Sequence, residues 1–333
     1  MKKNSKAIIA LCILLVTVFV SMVLSLNAGY SNLPFTKIIQ SLFGAVDQET
    51  NLIIHKLRLP RILAALLCGG GLGLSGCVLQ SVTRNPLADP GILGINAGAG
   101  IAVLVFMVFF PQLHIASKTF MPIFAFIGGM LVVFFLYTFA FRNGRLSNTY
   151  FLLGGIGAAA GIQSAMLIIS TGVENSNFQM LSRWLAGSVW GTNWNHVLTI
   201  LPYLLILIPI TVSRAKNLDV LILGEEPAAG LGLKVEYERR LLLFLAVGLA
   251  AACIAVCGGL SFVGLVSPHI AKRIFGVKHR FLLTGSVLFG MLLCVLSDAV
   301  GRIIIQPLEL PVGIIVSIIS APYFLYLLRK QTV

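Results

Sequence analysis

Arg58-Leu59-Pro60-Arg61-Ile62-Leu63-Ala64-Ala65-Leu66-Leu67-Cys68-Gly69-Gly70-Gly71 sets two guanidinium groups at the mouth of an apolar run that continues to residue 82. About 20 apolar residues are enough to cross a bilayer as a helix. Lipid offers no partner to open backbone groups, so a span without strand-like alternation has to be helical. The pattern recurs at about residues 7–28, 92–110, 120–141, 150–171, 196–213, 241–259, 262–275, 281–303 and 312–328. With 61–82 these make ten expected spans, of which 262–275 is the shortest. Composition agrees: 58% hydrophobic residues, 11% charged and a mean hydropathy of +0.97 exclude a soluble globule. The expected fold is an all-α polytopic membrane protein of about ten helices, with residues 1–333 forming one transmembrane domain.

Charge orients the spans. Lys2, Lys3 and Lys6 resemble the start of a secretory signal, but the apolar run from Ala7 to Leu26 exceeds the usual 7–15 residues or so. It reads as a retained helix with its N-terminus in the cytoplasm, and an even number of spans returns Arg329 and Lys330 to the same side. That topology puts 17 of the 24 basic residues inside. Lys37, Lys56, Arg58, Arg61, Lys118, Arg183 and Arg302 fall outside. Lys56, Arg58 and Arg61 are the main exception to the rule, and two guanidiniums on the outer face call for an acidic partner there. The net charge of +13 lies mostly in short cytoplasmic loops, where topology and anionic lipid account for it, so it implies no nucleic acid.

The interior residues read as packing. Gly69, Gly70, Gly71, Gly73 and Gly76, and then Gly154, Gly155, Gly157 and Gly161, let helix backbones approach closely. All six cysteines lie within apolar stretches and read as small polarizable core residues. His269, after Pro268, reads as a structural histidine at a helix bend. Trp184, Trp190 and Trp194 read as an interfacial belt or a short surface helix.

No energy source is visible in the chain. Ion-driven carriers keep ionisable residues at membrane depth. Of the eleven carboxylates only Asp298 falls clearly inside an apolar stretch, four residues before Arg302, where an intrahelical ion pair is the simpler account. There is no G-x-x-x-x-G-K-[ST] nucleotide loop either. A motor would have to be another polypeptide, and the 214–240 loop offers it a surface. In Leu223-Gly224-Glu225-Glu226-Pro227-Ala228-Ala229-Gly230-Leu231-Gly232 the two acids and the proline favour a helix start, and the glycines a stop. Two brief helices across the membrane surface are expected there.

Several stretches together resemble the permease subunits of bacterial ABC importers for iron–siderophores, haem and vitamin B12, the FecCD/BtuC-like family. They are Arg58 to Arg61, Asn85-Pro86-Leu87-Ala88-Asp89-Pro90-Gly91-Ile92-Leu93-Gly94, Leu223 to Gly232, Phe262 to Ile270, Glu309-Leu310-Pro311-Val312-Gly313 and Ala321 to Leu325. They run in family order from about residue 50 to the end. The resemblance implies a BtuC-like permease fold in a bacterial cell membrane, paired with a second permease subunit in a homodimer or a heterodimer. It further implies two ABC ATPase subunits on the cytoplasmic side and a substrate-binding protein outside. It assigns Arg58, Arg61 and Arg302 to docking of that binding protein. Leu223, Gly224, Glu225, Ala228, Leu231 and Gly232 fall to the ATPase coupling loop, and Ser147 and Asn148 to an inner gate. The family often carries Ser-Thr at the gate, so Asn148 is a departure. No cofactor is expected on this chain, ATP being used by the partner subunit, and the chain itself is not expected to be an enzyme.

An iron(III)–siderophore is the expected cargo, on the resemblance alone. Haem and vitamin B12 are the alternatives within the family, and an ion-coupled secondary transporter is the alternative outside it. An intramembrane enzyme would need paired catalytic residues at depth, and the sequence offers no Ser–Lys, Asp–Asp or His-rich metal set.

Overall fold

The structure, a computed structural model, describes residues 2–29, 35–42, 47–109, 117–142, 145–172, 175–306 and 308–331. The expected end of the third span, residue 110, lies outside them, as do the side chains of Lys118, Arg142, Arg145 and Lys330. Each expected span contains one helix. These are α1 (Lys2–Asn27), α4 (Leu59–Thr83), α5 (Ile95–Phe109), α6 (Ser117–Ala140), α7 (Asn148–Ser170), α9 (Trp194–Ser213), α12 (Val235–Cys257), α13 (Val263–Phe275), α14 (His279–Gly301) and α15 (Val312–Gln331). Short helices join them: α2 (Phe35–Leu42), α3 (Gln48–Leu52), α8 (Asn175–Leu185), α10 (Ala215–Leu221) and α11 (Glu225–Gly230). A π-helical turn over Ile53–Arg58 leads into α4, and two-residue strands β1 (Phe141–Arg142) and β2 (Arg145–Leu146) pair antiparallel before α7.

α4 is the axis of the bundle, packed between α12, α13 and α14. The most apolar stretches of α12 and of the helical segment containing α4 are both 83% buried, against 17% for α1 and 11% for α7. Glycine explains the tight centre. A methyl group on Gly69 would collide with the Gly290 carbonyl, one on Gly73 with the Ser286 carbonyl, and one on Gly76 with the Gly264 carbonyl. Backbones this close need a residue without Cβ. The second glycine run behaves differently. Gly155 packs on the backbone of Ile92 and Leu93, but Gly157 and Gly161 face open space within the chain.

Among the described residues seven helices are long and apolar enough to cross a membrane; α5 and α15 are shorter apolar helices, and α13 is in neither group. Its 13 residues reach about 20 Å, short of a hydrocarbon core of about 30 Å. The expected eighth span is therefore a partial one. α12 stops at Gly258, whose φ of 69° is accessible to glycine at no steric cost, and α13 starts after Phe262 at φ 67°. The break lies at depth. Cys257 Sγ is 2.8 Å from Cys68 Sγ, the tenth residue of α4, while Gly264 faces Gly76, the eighteenth.

The tryptophan segment combines an exposed helix with a buried end. Phe178 and Met180 of α8 are exposed, as a short surface helix requires, while its C-terminal end docks into the α12–α13 break. The Gly259 N–H donates to Trp184 O at 3.2 Å, and the Ser188 N–H donates to Cys257 O at 2.9 Å. Trp184 is buried, Trp190 is exposed, and Trp194 Nε1 donates to His55 O at 2.8 Å. Broken backbone at membrane depth is tolerated only where protein or a polar cavity covers it, and α8 supplies part of that cover.

Candidate functional site

The arginine end of α4 holds a compact ion network. Pro60 in its first turn suits a helix start, and the preceding turn carries Arg58 on the buried side. Arg61 Nε lies 2.9 Å from Asp298 Oδ1, and its Nη1 lies 2.6 Å from Glu309 Oε2. Arg302 Nη2 reaches Asp298 Oδ2 at 3.0 Å, so the expected intrahelical pair is present. Arg302 also donates to Ser25 O and Ala28 O, tying α14 to the end of α1, and Arg58 Nη1 donates to Leu26 O. Arg58, Arg61 and Arg302 border one cavity of about 380 Å³ together with Glu309. The structure thus brings the three predicted docking residues together but turns them inward. Glu309, one-third exposed, is the outermost charge of the network.

At the opposite end the two expected short helices are α10 and α11. Gly224 (φ 126°) and Gly232 (φ 83°) supply the left-handed corners on either side of α11. Ala228 is fully buried, whereas Leu223 and Leu231 are 60% and 66% exposed, leaving two large apolar side chains uncovered. Glu225 is held by Arg239 at 2.6 Å, and Arg239 also pairs with Glu236 at 3.0 Å. A cavity of about 740 Å³ opens between α11 and the start of α12, bordered by Arg84, Glu225 and Tyr237.

The predicted gate lies next to this assembly. Ser147 is the N-cap of α7, and Asn148 Nδ2 donates to Thr83 O at 3.0 Å, at the end of α4. Arg84, the left-handed C-cap of α4, donates through Nη2 to Leu221 O at 2.8 Å, at the end of α10. The start of α7, the end of α4 and the end of α10 are therefore joined by two consecutive hydrogen bonds.

Sequence reasoning missed a second joint. His279, fully buried at the start of α14, has Nδ1 2.7 Å from Asp219 Oδ1 on α10 and Nε2 2.8 Å from Ser81 Oγ on α4. The order Ser–His–Asp matches that of hydrolytic triads, yet Ser81 sits inside α4, where the neighbouring amides are bonded within the helix. No oxyanion site can form there, and the arrangement works as a tie between helices. His and Asp signals this far apart could not be paired from the sequence.

Asp89 was missed as well. It lies in the turn between α4 and α5, is 4% exposed, and has Oδ1 3.3 Å from the Gly91 N–H. Burial pushes its carboxyl up to about 7, with the Gly91 N–H pulling the other way. His269 packs edge-on to Tyr323 at 5.8 Å, as a structural residue does. Among the described residues no group of three His, Cys, Asp or Glu is placed to hold a metal.

The comparisons with known proteins agree with this architecture. A model of the FecCD transport family matches residues 14–330. The chain is 39% identical to the iron(3+)-hydroxamate import system permease protein FhuG of Bacillus subtilis (strain 168), over 98% of both chains. It is also 39% identical to the iron-uptake system permease protein FeuC of the same organism, over 92% of this chain and 93% of that one. A solved ABC transporter in an inward-facing conformation superposes with a TM-score of 0.82 at 28% identity, over 96% of this chain and 98% of the other.

Proposed function

The chain belongs to the FecCD transport family of ABC importer permeases, and from that premise we propose that it carries iron(III)–siderophores across a bacterial cell membrane. In this reading residues 1–333 form one permease domain that works in a dimer of permease subunits, with both termini cytoplasmic. A substrate-binding protein delivers the cargo outside, and two separate ATPase subunits supply the energy inside. The relatives' names support an iron chelate as cargo.

One observation carries the energetic half of the proposal. α10 and α11 leave Leu223 and Leu231 uncovered while Ala228 and the Glu225–Arg239 pair hold α11 in place. Exposed leucines on an anchored element fit a cleft on a partner. Displacing α10 would pull on Arg84 and through it on α4 and Asn148, which gives a route from ATPase to gate. At the other end an acidic side chain of the binding protein reaches Arg61 by taking the place of Glu309, with Arg58 and Arg302 holding the rim beneath.

Co-purification with an ATPase and reconstitution into proteoliposomes test the proposal. The expected result is chelate uptake that requires ATP and hydrolysis that the loaded binding protein stimulates. Uptake that persists without any ATPase would overturn it in favour of an ion-coupled carrier.

A further inference from the structure

Asn96 is an uncharged polar residue whose side-chain oxygen has no partner among the described residues. It sits in the first turn of α5, its Oδ1 is inaccessible and without a hydrogen bond, and its side chain packs beside Gly259 in the α12–α13 break. That break lies between the levels of Cys68 and Gly76, in the middle of α4. Asn96 Oδ1 is therefore unsatisfied at membrane depth, where the cost of leaving it so is greatest.

A cavity of about 340 Å³ opens at this point, between α5, α7 and α8. Gln163, Ser170, Ser182 and Ser261 also border it, and none of its described lining residues is charged. The side chains of Gln163, Ser182 and Ser261 make no hydrogen bond to other described residues, whereas Ser170 donates to Leu167 O at 2.7 Å. Amides and hydroxyls lining a cavity that reaches a helix break at membrane depth have no use for hydrocarbon, and secondary transporters place their cargo sites at such breaks. The size suits a ligand or one face of a larger one.

We infer that this cavity is a cargo-contact site of the permease and that it takes electrically neutral chelates. The inference rests on the permease reading above. Iron(III) bound by three hydroxamates carries no net charge and presents carbonyl and amide groups, which Asn96, Gln163 and the serines can bind. Iron(III) bound by three catecholates carries three negative charges. Moving it into a cavity with no cation would leave buried charge uncompensated. The site therefore selects by the charge of the chelate.

The test uses the full complex with its ATPase. Ser182→Cys is alkylated with a small maleimide in the presence of an iron(III) trihydroxamate or an iron(III) tris-catecholate. The thiol is expected to react, and the neutral chelate to slow the reaction at least fivefold at concentrations where the anionic one has no effect. An unreactive thiol, equal protection by both, or protection by neither would overturn the inference. In uptake assays Asn96→Ala and Gln163→Leu are each expected to raise the half-saturating trihydroxamate concentration about fivefold to tenfold, as loss of one hydrogen bond does. Co-purification of the ATPase with each variant checks assembly. Uptake unchanged in both variants would sink the site alone, whereas a wild-type complex without ATP-driven uptake would sink the permease reading.

Discussion

His279 Nδ1 stands 2.7 Å from Asp219 Oδ1, so the first residue of α14 is fastened to α10. An ionised carboxylate only accepts, so Nδ1 carries a hydrogen. Nε2 then takes a hydrogen from Ser81 when the ring is neutral and gives one to it when the ring is charged. Ser81 has a second outlet in Cys77 O, 2.8 Å away, so the chain of bonds is complete in either state. His279→Ala is expected to cut ATP-driven uptake at least tenfold while ATPase activity of the complex stays within about twofold, because α10 would lose its tie to α14 and hold α4 through the Arg84 bond alone. Loss of both activities together, with the complex intact, would count against a coupling role. Asp219→Asn keeps a hydrogen-bond partner and should keep most of the uptake.

Gly69 and Gly76 stand against the carbonyls of Gly290 and Gly264. Gly69→Ala or Gly76→Ala should force α4 away from α14 or α13 and destabilise by about 1–3 kcal/mol, as overpacking does. Gly157→Ala and Gly161→Ala place a methyl in open space and should leave the isolated chain within about 0.5 kcal/mol of wild type. Thermal unfolding in detergent measures both. A loss of dimer in the second pair, with unchanged single-chain stability, would place the α7 face at the subunit contact.

Glu309 competes for Arg61 with any acidic group arriving from solution. Glu309→Gln should preserve the fold and quicken association with the binding protein about twofold to fivefold at low salt, the gain fading as ionic strength rises. Slower association, measured by surface plasmon resonance, would show that Glu309 itself is the docking charge. Arg58→Glu should fail differently, since a carboxylate there would face the Leu26 carbonyl in a buried position.

Asp89 makes stability depend on pH. Its folded carboxyl titrates near 7, above the ordinary value of 3.8, so the folded state holds the proton more tightly. The contribution is full below about pH 4 and is lost as pH rises through about 7. Asp89→Asn removes the titration, so its melting temperature should decline less between pH 5 and pH 8 than that of the wild type. Parallel declines would mean that Asp89 is ionised in the fold.

The helices were legible because hydropathy is local. A run such as Ile62 to Val82 has to be a span whatever surrounds it, and each expected span contains a helix. The α11 helix was legible for the same reason, as acids, a proline and glycines act on their own turn of backbone. α13 occupies the bounds expected for it, but its 13 residues fall short of a full span, and it starts after a break lined by glycine.

The direction of the arginines was not legible. Arg61 meets Asp298 across 237 positions and Ser81 meets His279 across 198, and no pattern within a helix encodes such pairs. They follow from how closely glycine lets α4 approach its neighbours, a sum over many contacts. Composition and periodicity thus settled that the chain is a bundle of membrane helices with a basic mouth and a protruding loop. Packing settled that the mouth is an internally paired network, that α10 is tied to α4 and α14, and that a cavity with no charge among its described lining residues lies at the break, because side-chain partners depend on distance in space and not in sequence.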